Sequence, residues 1–334
     1  MMESAAPGPA SPETPSVYVA RRLPDEALAI LQERFQVEIW PEAATPVPRD
    51  ELLAKIKGKD GVLTLVTDRV DGEFLDAAGS RLRVVANMAV GVDNIDLEAC
   101  RERGVIVTNT PDVLTETTAD LVWALLLAAA RRVVEGHLLI QRGQWKSWHP
   151  MFMTGQDVHG KVLGIVGAGR IGSAVARRAV GFNMNILYHN RRRNLDLEAA
   201  VGATYAQFDQ LLQESDFVVC MLPLTAETAG RFGAREFALM KPTAVFVNAS
   251  RGAIVDEDAL VNALKTGQIW AAGLDVFARE PIGSDHPLLA LPNCVCLPHI
   301  GSASVETRMA MATLAARNVA AVLSGQEPLT PVVQ

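Results

Sequence analysis

The sequence predicts two α/β domains, each a parallel sheet covered by helices on both faces, preceded by a short tail. Three observations predict this. Short apolar runs alternate with stretches of helical composition from Val17 to His299, and strands alternating with helices imply a parallel sheet covered on both sides. At 161–172 the run KVLGIVGAGRIG sets three glycines between one such strand and a helix, the order of a pyrophosphate cradle. A last amphipathic helix, 303–323, is followed by no further strand, so its apolar stripe needs a surface from earlier in the chain.

Residues 1–16, MMESAAPGPASPETPS, are rich in Pro, Ser and Ala and read as a disordered tail. They lack the basic start and apolar core of a secretory signal. In the first domain the predicted strands are VYVA (17–20), VEIW (37–40), GVLTLV (61–66), VVANMAV (84–90) and VIVTN (105–109). Helices are predicted over 24–35, with Pro24 in the first turn, and over 49–57, 72–78 and 96–103. Asp96 caps the last of these and Gly104 ends it.

A long helix over 114–133, capped by Thr115 or Thr117 and apolar nearly all round, crosses into the second domain. An irregular loop with two tryptophans follows at 143–155. The second domain's strands are the run before the glycines, NILYH (185–189), DFVVCML (216–222), AVFVN (244–248), AAGLDV (271–276) and CVCLPH (294–299). Its helices include the stretch behind the glycines, 208–213 and 256–265, the last capped by Asp256 and stopped at Gly267. The helix 303–323 is expected to return to the first domain, which makes the second an insertion.

A length of 334 residues supports two domains. The formal net charge of −7 argues against nucleic-acid binding. The longest apolar stretch, 121–130, is too short to span a bilayer. The four cysteines lack metal-site spacing, and Cys220 and Cys294 read as buried free thiols of a reducing compartment. No metal is expected, and the location expected is cytoplasmic.

In a parallel sheet, ligands bind beyond the carboxyl ends of the strands. Gly167 permits the tight turn, Gly169 lets the backbone approach a pyrophosphate, and Gly172 lets helix and strand pack closely, with Ala168, Arg170 and Ile171 completing the cradle. After NILYH stand Asn190, Arg191, Arg192 and Arg193, where an acidic residue ordinarily receives the ribose of NAD. Cations there suit a 2′-phosphate, which favours NADPH over NADH; the alternative is a solvated basic loop. Arg251 follows AVFVN closely, Glu280 follows AAGLDV, and His299 ends CVCLPH. Singly each is ordinarily structural. Following strand ends of one sheet, the three are chemically complementary, and the guanidinium suits a bidentate carboxylate clamp.

NASRGAIVDEDAL, AAGLDVFAREP and LPHIGSAS resemble the D-isomer-specific 2-hydroxyacid dehydrogenase family, as do the helix TETTADLVWALLLA and the order Arg, Glu, His. GQWKSW, the basic loop and NCVCLPHIGSAS resemble its glyoxylate/hydroxypyruvate reductase branch. The resemblance implies a Rossmann NAD(P)-binding domain (116–302) inserted into a flavodoxin-like substrate domain (17–115 plus 303–334). It implies that Arg251 binds the substrate carboxylate, that His299 is the acid/base and that Glu280 orients it. It places Thr118, Leu222, Pro223, Ala249, Ser250, Asp275 and Gly301 against the cofactor, and Leu65, Val90, Gly91 and Ser302 against the substrate. Bland roles stand beside several of these: Pro223 as a strand end, Asp275 and Gly91 as turn residues, Ser302 as the cap of the last helix. Trp145 and Trp148 are expected either to close the pocket or to pack in a homodimer. A dehydrogenase for D-lactate or phosphoglycerate, or a cofactor-sensing corepressor on the same fold, remain the alternatives.

Overall fold

The structure, a computed structural model, describes residues 14–332. The predicted tail lies outside the described residues up to residue 13. Its last residue is not tail: Ser16 opens the first strand, and the Pro15 carbonyl accepts the Gln36 N–H at 3.0 Å. The chain forms two compact units, one running to Val113 and resuming at Val305, the other Leu114–Ser304.

The first unit holds β1 (Ser16–Val19), β2 (Gln36–Ile39), β3 (Gly61–Thr64), β4 (Val84–Asn87) and β5 (Ile106–Thr108). They pair in parallel in the order β2-β1-β3-β4-β5, the flavodoxin-like arrangement. Every residue of β3 and β4 is buried, each apolar run closing on one buried polar residue, Thr64 and Asn87. Asp96 caps the helix Leu97–Glu102 by accepting the Ala99 N–H at 3.0 Å, and Gly104 follows at φ 66°. Pro24 stands just outside the helix Asp25–Gln32.

The helix Val305–Leu323 returns to this unit and packs on β3, β4 and the helix Asp25–Gln32. The seat is tight. A Cβ on Gly61 would lie 3.2 Å from both Val319 Cγ1 and Leu323 Cδ1, so the smallest residue in β3 lets the helix settle on the sheet.

The second unit holds β6 (Val162–Val166), β7 (Asn185–His189), β8 (Thr204–Tyr205), β9 (Phe217–Cys220), β10 (Val245–Asn248), β11 (Ala271–Leu274) and β12 (Cys294–Cys296). All pairs are parallel, in the order β12-β11-β10-β9-β6-β7-β8. The chain winds outward from β6 through β7 to β8, then restarts at β9 in the other direction, so the order reverses between β6 and β9. At such a reversal, helices leave on opposite faces and open a crevice at the carboxyl ends.

The expected helix 114–133 ends at Ala130, because Arg132 takes φ 54° and turns the chain, and a separate helix, Val133–Gln141, that was not expected follows. Leu114 occupies the cap position, so neither Thr115 nor Thr117 caps it. The first helix is buried against β10, β11 and β12. The second exposes Val133, Val134 and Ile140. Strand β8 is two residues long, too short to leave an alternating pattern in the sequence. Cys220 is buried, which pushes its thiol up to about 11. Cys294 is only half-buried, because β12 is an edge strand. Among the described residues no helix is long and apolar enough to cross a membrane.

Candidate active site

One row of residues crosses the second sheet at its carboxyl edge. His189 pairs with Val166, Val166 with Cys220, Cys220 with Asn248, Asn248 with Leu274 and Leu274 with Cys296. Each is the last residue of its strand. The glycine turn, the basic loop, Leu222–Pro223, Arg251, Glu280 and His299 all lie just beyond this row.

The three glycines do three different jobs. Gly167, at φ 100°, lies against the neighbouring strand end, where a Cβ would meet Met221 C and O at 2.7 Å. Gly172 packs the following helix onto the turn; its Cβ would sit 2.3 Å from the Gly167 carbonyl oxygen. Gly169 has nothing within 4 Å of a Cβ. It precedes the helix Arg170–Ala179 and is exposed, the position where a ligand can approach the backbone and the helix N-terminus. The Ala168 N–H is not free for this, since it donates to Asn190 Oδ1 at 2.7 Å. Asn190 Nδ2 and Asn194 Nδ2 both return to the Ala168 carbonyl, at 3.2 and 3.0 Å. Asn190 therefore braces the turn itself, a role that its position after β7 did not reveal.

The basic loop divides. Arg193 is spent on an ion pair with Glu198 at 2.5 Å. Arg191 and Arg192 are exposed and have no ion-pair partner among the described residues.

Beyond β10 the chain turns sharply into a short 3-10 helix, Gly252–Ile254, with Arg251 at its entry. Asn248, buried, fixes this turn from both sides. Its Nδ2 donates to the Arg251 carbonyl at 3.0 Å, and its Oδ1 accepts the Ser250 N–H and hydroxyl at 3.1 and 2.8 Å. The Arg251 Nη1 donates to the Ser250 carbonyl at 2.8 Å. A Cβ on Gly252 would fall 1.8 Å from Phe277 C, so the Arg251 turn touches the backbone of the loop after β11. Ala249 is half-buried beside it.

That loop carries Glu280. Its Oε1 accepts the Phe277 N–H at 2.9 Å and its Oε2 faces His299 Nδ1 at 2.7 Å. Burial works to raise the Glu280 carboxyl, but hydrogen bonds from His299 and Phe277 outweigh it, and the carboxyl ends below its ordinary value. Glu257 braces the same loop from below, accepting the Ala278 N–H at 2.7 Å. About a third of each side chain of the His299–Glu280 pair remains accessible.

His299 sits at φ 55°, a left-handed conformation costly for a residue with a Cβ. Asp275 holds it there. Its two carboxylate oxygens accept the next two N–H groups, Ile300 at 2.8 Å and Gly301 at 2.7 Å. Asp275 is almost wholly buried, and burial raises its carboxyl above the ordinary value. Thr118 is buried against Gly301, whose Cβ would lie 3.3 Å from Thr118 Cγ2. Leu222 is half-buried; Pro223 is exposed, its carbonyl accepting the Thr228 hydroxyl at 2.6 Å. The expectation that Ser302 caps the last helix is corrected. The helix begins at Val305, and Ser302 lies in the preceding turn with its carbonyl accepting the Ser304 N–H at 3.0 Å. Among the described residues no three His, Cys, Asp or Glu side chains are grouped to hold a metal.

In the first unit, Leu65 opens the turn after β3 and is half-buried. Val90 and Gly91 follow β4, their carbonyls accepting Asn109 Nδ2 at 2.8 Å and Asn87 Nδ2 at 3.1 Å. Among the described residues their own N–H groups donate to no protein atom. A loop whose carbonyls are tied back and whose N–H groups are unspent is suited to an anion.

A glycine cradle at a sheet's switch point, with a guanidinium, a carboxylate and an imidazole beyond neighbouring strands, defines a nicotinamide-dependent dehydrogenase. Comparison with known proteins agrees. Residues 123–301 match the model of the NAD binding domain of D-isomer specific 2-hydroxyacid dehydrogenases. The chain belongs to that family and is an NAD(P)-dependent oxidoreductase. It is 49% identical to the glyoxylate reductase of Thermococcus gammatolerans, over 95% of this chain and 96% of that one. A Thermus thermophilus protein of known structure superposes with TM-score 0.89 at 48% identity, covering 95% of this chain and all of its own. The NADPH-dependent glyoxylate/hydroxypyruvate reductase of Sinorhizobium meliloti, solved with NADP and malonate, superposes with TM-score 0.85 at 34% identity, covering 96% of this chain and 97% of its own.

Proposed function

We propose that the chain reduces small 2-oxo acids, glyoxylate and hydroxypyruvate, to 2-hydroxy acids, with NADPH preferred and NADH usable. The observation that carries the reading is the His299–Glu280 pair, joined at 2.7 Å beyond the same sheet edge as Arg251.

The dinucleotide fits the residues present. Gly169 is open to a ligand, the helix N-terminus at Arg170 and Ile171 would hold the pyrophosphate, and Arg191 and Arg192 would receive a 2′-phosphate. Thr118, Leu222, Pro223, Ala249, Ser250, Asp275 and Gly301 are assigned to the rest of the cofactor. Bound there, the reduced nicotinamide supplies the hydride that attacks C2 of the substrate. Arg251 holds the substrate carboxylate and adds positive potential where charge grows on the carbonyl oxygen. His299 Nδ1 is tied to Glu280, which leaves Nε2 as the atom that gives the proton to that oxygen; in the reverse direction neutral Nε2 accepts it. Glu280, ionised at neutral pH, fixes the ring's orientation. The unspent N–H groups of Val90 and Gly91 bind carboxylate, and Leu65 and Ser302 complete the substrate contacts.

We assign the protein to the cytoplasm as a homodimer. Its four cysteines are free thiols, and Val133, Val134, Ile140, Trp145, Trp148 and Met151 form an exposed apolar stretch suited to a second copy. The test of the reaction is NADPH oxidation by purified protein across a panel of 2-oxo acids. Turnover with glyoxylate and hydroxypyruvate is expected; absence of turnover with both sinks the reading.

A further inference from the structure

The two substrate loops of the first unit leave different strands, yet one side chain is bonded to the turn of one and, through a single partner, to the other. Asn94 Nδ2 donates to two carbonyls of the turn after β3, Leu65 at 3.1 Å and Asp68 at 2.8 Å. Asn94 Oδ1 accepts from Asn87 Nδ2 at 3.1 Å. The same Asn87 nitrogen donates to the Gly91 carbonyl at 3.1 Å, and Asn87 Oδ1 accepts the Thr64 hydroxyl at 3.2 Å. Thr64 and Asn87 are wholly buried at the ends of β3 and β4.

The chemistry of this hub is specific to an amide. Two carbonyl oxygens converge on one point, and only a group with two hydrogens on one nitrogen satisfies both while presenting an acceptor behind it. A carboxylate would set oxygen against oxygen. A hydroxyl has one hydrogen to give. Asp68 locks the same turn a second way, its carboxylate accepting the Leu65 N–H at 2.8 Å. The outcome is that Leu65 and Gly91 are held through their carbonyls, and the N–H groups of Val90 and Gly91 are left unspent.

We infer that Asn94 is a positioning residue for substrate: it fixes the Leu65 turn and the Val90–Gly91 loop relative to each other and so sets affinity for the 2-oxo acid carboxylate. This rests on the assignment of Leu65, Val90 and Gly91 to substrate binding. It touches neither the cofactor residues nor the His299–Glu280 pair.

The test is Asn94→Leu in the full chain, which keeps the shape, removes every side-chain hydrogen bond and adds no charge; the Asn94 carbonyl keeps the Val70 N–H. Kinetics with glyoxylate and NADPH, and inhibition by oxalate, a carboxylate that accepts no hydride, give one readout. The expectation is at least a tenfold rise in both the glyoxylate KM and the oxalate inhibition constant. The NADPH KM should stay within twofold and kcat within threefold, because the side-chain hydrogen bonds of Asn94 all lie within the first unit. Hydrogen exchange gives a second readout independent of activity. Amides of 65–68 and of 88–94 should lose protection together in the variant while the second unit keeps its own. A folded variant with unchanged glyoxylate KM and oxalate inhibition overturns the inference, as does loss of protection in only one of the two loops. Should Asn94→Leu fail to fold, Asn94→Ala answers to the same criteria. A wild-type protein inactive on every 2-oxo acid condemns the proposed reaction, and the exchange experiment still decides whether Asn94 couples the loops.

Discussion

Gly252 offers the sharpest test of how the site is assembled. It carries no chemistry, yet a single methyl group placed there has nowhere to go. The added Cβ would lie 1.8 Å from Phe277 C, 2.1 Å from its oxygen and 2.3 Å from Ala278 N. All three are backbone atoms, so no rotamer change relieves the clash. Ordinary contact begins near 3.4 Å, and the Arg251 turn must retreat from the Glu280 loop by about 1.6 Å. Overpacking of this kind costs about 1–3 kcal/mol, which in a unit of this size lowers Tm by roughly 2–12 °C. The functional cost is larger. Arg251 and Glu280 are displaced against each other, and misplacement by about 1 Å can cost on the order of 100-fold in rate, or about 2.7 kcal/mol of transition-state stabilisation.

The assay is steady-state kinetics of Gly252→Ala with glyoxylate and NADPH, alongside thermal unfolding and direct NADPH binding. A fall in kcat/KM of about 100-fold is expected with NADPH binding weakened far less, because the glycine turn rests on Met221 and not on this contact. A variant within threefold of wild type and unchanged in Tm refutes the argument that this contact sets the geometry of the site.

Three further outcomes are expected. His299→Ala should abolish turnover and leave NADPH binding intact; retained activity removes His299 from proton transfer. Replacing Arg191 and Arg192 together by Ala should cut the preference for NADPH over NADH by roughly 10–100-fold, the worth of one or two charge-assisted bonds; an unchanged ratio returns those arginines to the solvated surface. Glu280→Gln should alter the acid limb of stability. Because the folded state holds the Glu280 carboxyl below its ordinary value, its ionisation stabilises the fold above the ordinary carboxylate range. That contribution is lost as pH falls through the lowered value. Wild type should exceed the variant in stability near neutrality, and the gap should close below about pH 4; a gap that widens in acid contradicts the sign.

The sequence made the strands legible because buried parallel strands are apolar on both faces. β7 falls on the predicted residues, and β3, β4 and β9–β12 lie inside their predicted runs. Their ends were overrun, since apolar residues such as Met88 and Val276 continue past the last ladder pair and are buried in the turns. Caps with acidic side chains were legible, as at Asp96 and Asp256, because the side chain itself is the signal. The break at Arg132 was not. Nothing local marks a non-glycine residue for φ 54°, so the apolar run carried the expected helix on to Val133, and the helix Val133–Gln141 was not expected. Arg251, Glu280 and His299 were singled out by strand ends and motif. Asn248, Asn94 and Gly252 did not stand out, nor did the bracing role of Asn190, because their work is done on backbone atoms rather than on a ligand.

Those residues share a physical logic with the glycine turn. The end row of the second sheet aligns six strands, but register alone leaves each following loop free to wander. Two contacts remove that freedom by setting backbone directly on backbone: Gly167 against Met221, joining the loops after β6 and β9, and Gly252 against Phe277, joining those after β10 and β11. Asp275 then extends the chain of contacts to the loop after β12 by holding the Ile300 and Gly301 amides. His299 can afford φ 55° only because that carboxylate and Glu280 over-determine its place. Side chains of arginine or glutamate have several rotatable bonds and many positions. Fixing the backbone beneath them first reduces the ordering left for substrate to accomplish, and with it the free energy that binding would otherwise spend on orientation.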